Sequence, residues 1–365
     1  MALDPGTATG PYPAEVRHKI RRDVLTDYAR AARAIDAESV GAVSVQHEYG
    51  IWGGPDGAWV LDFVRALRTP VVATLHTVLR NPTPSQRWVL HELVGAAAAT
   101  VVMSNSAAEL LERTYSVESS RVQIIPHGVP DLPLVDADSV KPLLGLQGRT
   151  VILSFGLLGP GKGYESAIAA MPAVVAADPT AIYVIVGATH PEAIRREGEA
   201  YRERLMATAA SLGMTGHVRF VGRFVDSAEL ALWLEAADIF LTPYPNLEQI
   251  VSGTLSYAMG AGKAVVSTPY AYAVERLANG RGRLVAPGSV EALGQALSEL
   301  ALSPAVRAEY GRRAYAFSRG MLWSEVGGAY RRLFNTVALG YRPGAATSVT
   351  RPRAFAQTIG AGVGE

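Results

Sequence analysis

The chain has 365 residues, 49% of them hydrophobic, and a formal net charge of +1 at pH 7. That length exceeds one typical domain and predicts two, with apolar content enough for two buried cores. Near-neutral charge argues against a nucleic-acid binder, and the lack of cysteine excludes disulfides, thiolate metal sites and a cysteine nucleophile, as expected of a cytoplasmic protein.

Residues 17–35 read as a helix, with Asp27, Tyr28, Ala31 and Ile35 at helical spacing. No strand is expected in the opening forty residues. Short β-branched runs then predict strands at 42–46, 71–75, 100–104 and 122–125. Helical stretches at 57–67, 85–97 and 106–115 fall between them. A Pro-interrupted, turn-rich segment, 130–148, reads as a linker. Beyond it the pattern predicts strands at 150–155, 181–186, 218–221, 239–242, 264–267 and 283–285. Continuous apolar strands alternating with helices define a doubly wound α/β domain with a parallel sheet. The first half, with only four strands, looks incomplete at its N-terminus. Helices at 305–318 and 323–339 follow, and the Gly-, Ala-, Thr- and Pro-rich tail from Gly340 is expected to be disordered.

The start of the chain lacks the basic region and apolar run of a signal peptide. No run approaches the ~18 apolar residues of a membrane span, which leaves peripheral contact with a membrane open. Basic runs such as Arg195-Arg196 and Arg312-Arg313 read as solvated helix faces.

The sharpest local motif follows the 150–155 strand: Gly156, Leu157, Leu158, Gly159, Pro160, Gly161, Lys162, Gly163. A Gly-rich turn entering a helix lets backbone N–H groups approach phosphate, while the helix N-terminus and Lys162 add positive charge. The spacing matches a P-loop, yet Gly163 stands where that motif needs Ser or Thr for magnesium. A second motif runs from Asp238 through Pro243 and Tyr244 to Gln249, Ser252, Gly253, Thr254 and Tyr257. It reads as strand, loop and helix, with Ser252 as N-cap and hydroxyls and free N–H groups suited to a diphosphate. For both motifs a purely structural turn or cap is the competing reading.

The order of these segments resembles the donor half of the GT-B glycosyltransferases, specifically the retaining family 4. Further matches are the strand ending in Gly187, the Phe220-Val221-Gly222 element, and Ala237 to Pro243. The Ala258-Met259 to Lys263 segment, Glu275 to Val285 and the Trp323 helix continue the series. In the first half, Thr74-Leu75-His76 and Ile125-Pro126-His127-Gly128-Val129 resemble the family's histidine-bearing strand end and its Pro-Asn-Gly-Val. The resemblance covers about 40–334 and implies two Rossmann-like domains facing a cleft, the first incomplete. It places an acceptor-side domain at 1–136, a donor domain at 137–303, and helices at 304–339 packing back on the first domain.

As catalytic residues the resemblance implies His76, against the donor sugar, and Lys162, against the leaving diphosphate. The remaining donor site would comprise Gly156, Gly161, Gly187, Arg223, Phe224, Gln249, Ser252, Gly253, Thr254, Tyr257 and Glu275. The acceptor side would comprise His47, Glu48, Gly53, Gly54 and His127. The implied reaction moves a sugar, with retention, from a nucleoside diphosphate sugar to a carbohydrate, lipid or small-molecule acceptor, with no metal or other cofactor. Three positions depart from the family pattern: its two glutamates are Gln249 and Tyr257, and its turn arginine is Leu157. These departures favour, as an alternative, a non-catalytic sugar-nucleotide binder; a P-loop nucleotide hydrolase is the other.

Overall fold

A computed structural model describes residues 1–6 and 11–340; the tail expected to be disordered lies outside the described residues, apart from Gly340. Its strands are β1 (Ala2–Asp4), β2 (Lys19–Arg21), β3 (Val43–His47), β4 (Val71–Leu75), β5 (Ala99–Val102) and β6 (Val122–Ile124). The series continues with β7 (Thr150–Phe155), β8 (Ala181–Val186), β9 (Val218–Val221), β10 (Ile239–Thr242), β11 (Ala264–Ser267) and β12 (Arg283–Leu284). The helices are α1 (Leu25–Ala37), α2 (Val60–Ala66), α3 (Pro84–Ala96), α4 (Asn105–Tyr115), α5 (Ala137–Val140), α6 (Tyr164–Ala177) and α7 (Pro191–Glu197). After them come α8 (Ala200–Ser211), α9 (Ser227–Ala236), α10 (Gly253–Gly260), α11 (Ala271–Leu277), α12 (Val290–Ala301), α13 (Pro304–Ser318) and α14 (Trp323–Gly340).

The opening forty residues correct the sequence reading. β1 and β2 pair in parallel, Ala2 with Lys19 through Asp4 with Arg21. The helix begins at Leu25, not residue 17. Its start is set by Asp27, whose carboxylate accepts from the Arg21 backbone N–H and guanidinium. Those strands were illegible because each is only three residues long, with Ile20, fully buried, the one apolar residue of β2.

Four strands form a sheet in the order β3-β4-β5-β6. In β3, Val43, Val45 and His47 are buried while Ser44 and Gln46 are exposed, the period-two pattern of a half-buried strand. The larger sheet has the order β12-β11-β10-β7-β8-β9 and is parallel throughout. Its centre is apolar on both faces. Ile152 faces the core shared with α6, α8 and α12, while Val151 and Leu153 face the core shared with α9, α10 and α11. Each such side chain contributes about 1.5–3 kcal/mol on leaving water.

The order reverses at β7, which pairs with β8 on one side and β10 on the other. In open α/β sheets a crevice opens beyond the carboxyl ends of the strands at such a switch point. Both chemical motifs of the sequence leave the sheet there, one from β7 and one from β10.

Packing divides the chain into two compact units. Among the described residues, one comprises 1–6, 11–74, 82–100 and 333–340; the other comprises 75–81 and 101–332. Segment 130–148, read as a linker, lies inside the second unit. Helix α13, expected to pack back on the first domain, instead packs on α10 and β11. Gly311 makes this possible, since a Cβ there would lie 2.2 Å from the Gly262 carbonyl oxygen.

Candidate active site

The turn after β7 is held open by its glycines. Gly156 has φ 129° and Gly163 φ 75°, both in the left-handed half of backbone space. A Cβ on Gly187 would lie 2.0 Å from the Gly156 carbonyl oxygen, so Gly187 lets the ends of β7 and β8 meet. Leu158 bonds to residues 188–190 through both its N–H and its carbonyl, which fixes the shape of the turn. Gly161 has φ 89° and open space around it. The Lys162 ammonium sits 4.5 Å from the ring centroid of Tyr244.

The second motif meets this turn. Ser252 caps α10, its hydroxyl accepting from the Leu255 N–H. Thr254 Oγ1 lies 3.2 Å from the Ser252 hydroxyl and 3.0 Å from the Tyr244 hydroxyl. A Cβ on Gly156 would lie 3.6 Å from the Thr254 methyl group. Gly156, Lys162, Ser252, Gly253 and Thr254 therefore form one cradle. The first turn of α10 brings to it the unpaired N–H groups and partial positive charge of a helix start.

A histidine adjoins the same helix. His127, expected on the acceptor side, packs its imidazole against Gly253, where a Cβ would lie 2.8 Å from Nε2. Its segment is tied to the α13–α14 connection, Val129 N–H donating to Met321 and accepting Trp323 N–H on its carbonyl, which carries it to α10. His127 Nδ1 lies 2.7 Å from the Gly128 carbonyl oxygen, which sets Nδ1 as the protonated nitrogen. Burial pushes His127 and His76 below the ordinary histidine value, and the proximity of His127 lowers His76 further. Both are neutral at pH 7 by this account. Tyr257 stands between the rings of His127, at 6.0 Å, and Phe155, at 6.3 Å.

Other predicted residues lie in different settings. The Gln249 side chain donates to the Val251 carbonyl at 2.8 Å, shaping its own loop. Arg223 makes a two-pronged pair with Glu229 and, with Arg202, Arg219 and Trp233, lines an open depression of about 470 Å³. Phe224 beside it is 81% exposed. Glu275, expected at the donor, instead accepts from the N–H groups of Asn105 and Ser106 and from the Asn105 amide. Its carboxylate neutralises the start of α4.

In the first unit, His47 is fully buried and meets the Tyr49 ring edge-on at 5.0 Å. Glu48 accepts from the Tyr49 N–H at 3.1 Å. Gly53 and Gly54 make room for Trp59, whose ring a Cβ at either position would meet at 2.5 Å. Those glycines thus pack the 49–59 loop. The sequence reading missed Tyr244, whose signal was an aromatic side chain two residues beyond the end of β10.

Residues 149–303 match the family described as "Glycosyl transferases group 1", and residues 5–131 match "Glycosyltransferase Family 4". The phosphatidyl-myo-inositol mannosyltransferase of Mycolicibacterium smegmatis is 29% identical over 75% of this chain and 67% of its own. A D-inositol 3-phosphate glycosyltransferase of Actinosynnema mirum is 25% identical over 86% of this chain and 77% of its own. Among solved structures, sucrose-phosphate synthase of Thermosynechococcus elongatus superposes with a TM-score of 0.72 at 20% identity, covering 91% of this chain and 87% of its own. HepE of Anabaena, in complex with UDP and glucose, gives 0.69 at 17%, covering 86% and 82%.

A switch-point cradle on this fold, with matches across both halves, defines a glycosyltransferase of the GT-B class. The chain belongs to glycosyltransferase family 4, and the match from residue 5 extends the resemblance into the segment from which a first strand had seemed to be missing.

Proposed function

We propose that the protein transfers a hexose, with retention of configuration, from a nucleoside diphosphate sugar to a hydroxyl of a carbohydrate, lipid or small-molecule acceptor. The observation that carries this reading is the junction of the 156–163 turn with the first turn of α10, where Lys162, Thr254 and Ser252 face one cradle. As the glycosidic bond breaks, negative charge grows on the departing diphosphate. Lys162 and the N–H groups of residues 253–254 neutralise it in place, the form of stabilisation that acts most strongly in the transition state. This arrangement supplies the charge without requiring a metal.

His76 and His127, both neutral, border the sugar subsite and offer hydrogen bonds rather than charge. The exposed Phe224 offers a face for the base to stack on. Relatives named as a mannosyltransferase and an inositol phosphate glycosyltransferase support a hexose donor and a polyol among the candidate acceptors. Family membership supports retention.

The settings of Gln249 and Tyr257 favour a second reading, in which the nucleotide sugar binds without turnover. Calorimetric titration with GDP-mannose, UDP-glucose and ADP-glucose, followed by an assay of donor hydrolysis, separates the two. The expected result is micromolar to millimolar binding of one donor with slow hydrolysis. Lys162→Ala is expected to weaken that binding about 10- to 100-fold, the loss of one charge-assisted contact. Equal binding by the variant removes Lys162 from the diphosphate.

A further inference from the structure

We infer that Tyr244 is the positioning residue of the cradle, setting the Lys162 ammonium through its ring and the Thr254 hydroxyl through its phenol. The inference rests on the placement of Lys162 at the diphosphate.

Three contacts carry it. The Lys162 Nζ lies 4.5 Å from the Tyr244 ring centroid, within the range where a cation is attracted to the negative face of an aromatic ring. The Tyr244 hydroxyl lies 3.0 Å from Thr254 Oγ1, on the first turn of α10. The two halves of the cradle come from β7 and from the chain beyond β10, and this side chain touches the reactive group of each. It is itself held on every other side. It is 5% exposed, stacks on Tyr270 at 5.4 Å and 21°, and its carbonyl accepts from the Thr268 hydroxyl. Beside it, the Pro243 carbonyl abuts Gly163, the N-cap of α6 and the residue after the lysine.

A flexible lysine on a glycine turn loses considerable side-chain entropy when a ligand must fix it. Where the family carries an arginine this chain has Leu157, 39% exposed, which gives the lysine no charge partner or hydrogen bond. An aromatic face beneath the ammonium holds it without neutralising it. The full positive charge stays available to the diphosphate, which a carboxylate partner would not permit. The phenol keeps Thr254 in one rotamer, so hydroxyl and ammonium are set together before the donor arrives.

The first test is a double-mutant cycle on donor turnover with Lys162→Ala and Tyr244→Met, with Tyr244→Phe as the conservative variant. Tyr244→Phe keeps the ring and is expected to retain kcat within about threefold while raising the donor KM. Tyr244→Met is expected to lower kcat at least tenfold, and Lys162→Ala added to it is expected to cost at least fivefold less than it costs alone. Effects that multiply, so that Lys162→Ala costs the same in both backgrounds, overturn the inference while leaving Lys162 at the diphosphate. A Lys162→Ala variant as active as the parent overturns the functional reading instead.

Because Tyr244→Met can fail to fold, a second measurement uses the parent protein alone. The chain has four lysines, Lys19, Lys141, Lys162 and Lys263, so a 13C-lysine-labelled sample gives a countable set of Cε–Hε signals. The Lys162 signal, assigned as the one lost in Lys162→Arg, is expected to be displaced upfield by the ring current of Tyr244. A Lys162 Hε signal at its free-amino-acid position overturns the inference.

Discussion

At Gly163 the backbone is left-handed, with φ 75°, and an added Cβ would lie 2.0 Å from the Pro243 carbonyl oxygen. The position where a P-loop carries its magnesium-binding hydroxyl therefore cannot accept a side chain unless the chain beyond β10 moves. This gives a physical reason for a departure that the sequence showed only as a mismatch. Gly163→Ser, which completes the P-loop pattern, is expected to destabilise the protein by roughly 2–4 kcal/mol from left-handed strain and overpacking together. Urea unfolding measures it, and magnesium-dependent NTP hydrolysis by the variant would contradict this account. At the same scale, the glycine turn around Lys162 and the Ser252 cap were legible as local structure because turn glycines and caps announce themselves within a few residues. The packing of His127 against Gly253 and Trp323 was not legible, because those neighbours lie more than a hundred positions along the chain.

Elements show the same division between local and distant information. The four central strands of the larger sheet were readable nearly to the residue, since a strand buried on both faces must be an unbroken apolar run, as in β8. The short β1 and β2 carry no such run and were not. Helix α4 illustrates a third case. Its N-cap, Ser104, is local, but its start is also held by Glu275 from α11. Met103 accepts from the Arg276 guanidinium, and Ser104 donates to the Ile250 carbonyl. Residues 103–106 are thus fastened to α11 and to the loop ahead of α10. Segment order had assigned Glu275 to the donor; geometry makes it a helix-start anion. Glu275→Ala is expected to lower stability by about 1–2 kcal/mol, from lost capping and lost interaction with the helix dipole. Thermal melting checks the loss, and calorimetry is expected to show donor affinity unchanged. A variant of normal stability that no longer binds donor would restore Glu275 to the site.

Across the whole molecule, what the protein withstands is set partly by charges far from the cradle. Lys263, immediately before β11, is 5% exposed and donates to the Glu235 carbonyl at 2.8 Å. Burial lowers its pKa to about 8, with Asp238 opposing the shift. The sequence presented this residue only as part of an Ala-Met-x-x-Gly-Lys pattern marking the fold, because a lysine's burial cannot be read from its neighbours. In the unfolded chain a lysine titrates near 10.4. Between about pH 8 and 10 the unfolded state therefore binds more protons than the folded one, and stability rises with pH across that window. Below it both states are charged, and the folded state bears the full cost of a buried ammonium. Above about pH 10 the trend reverses, because tyrosines begin to ionise in the unfolded chain. Burial holds Tyr183 and Tyr270 protonated in the folded one. Lys263→Met keeps the volume and removes the charge. It is expected to be more stable than the parent at neutral pH by about 1–3 kcal/mol and to lose the rise between about pH 8 and 10. Urea midpoints measured every half pH unit on both proteins test this. A rise that persists in the variant would assign it to another group, and a variant less stable than the parent at pH 7 would show that the bond to Glu235 outweighs the burial of charge.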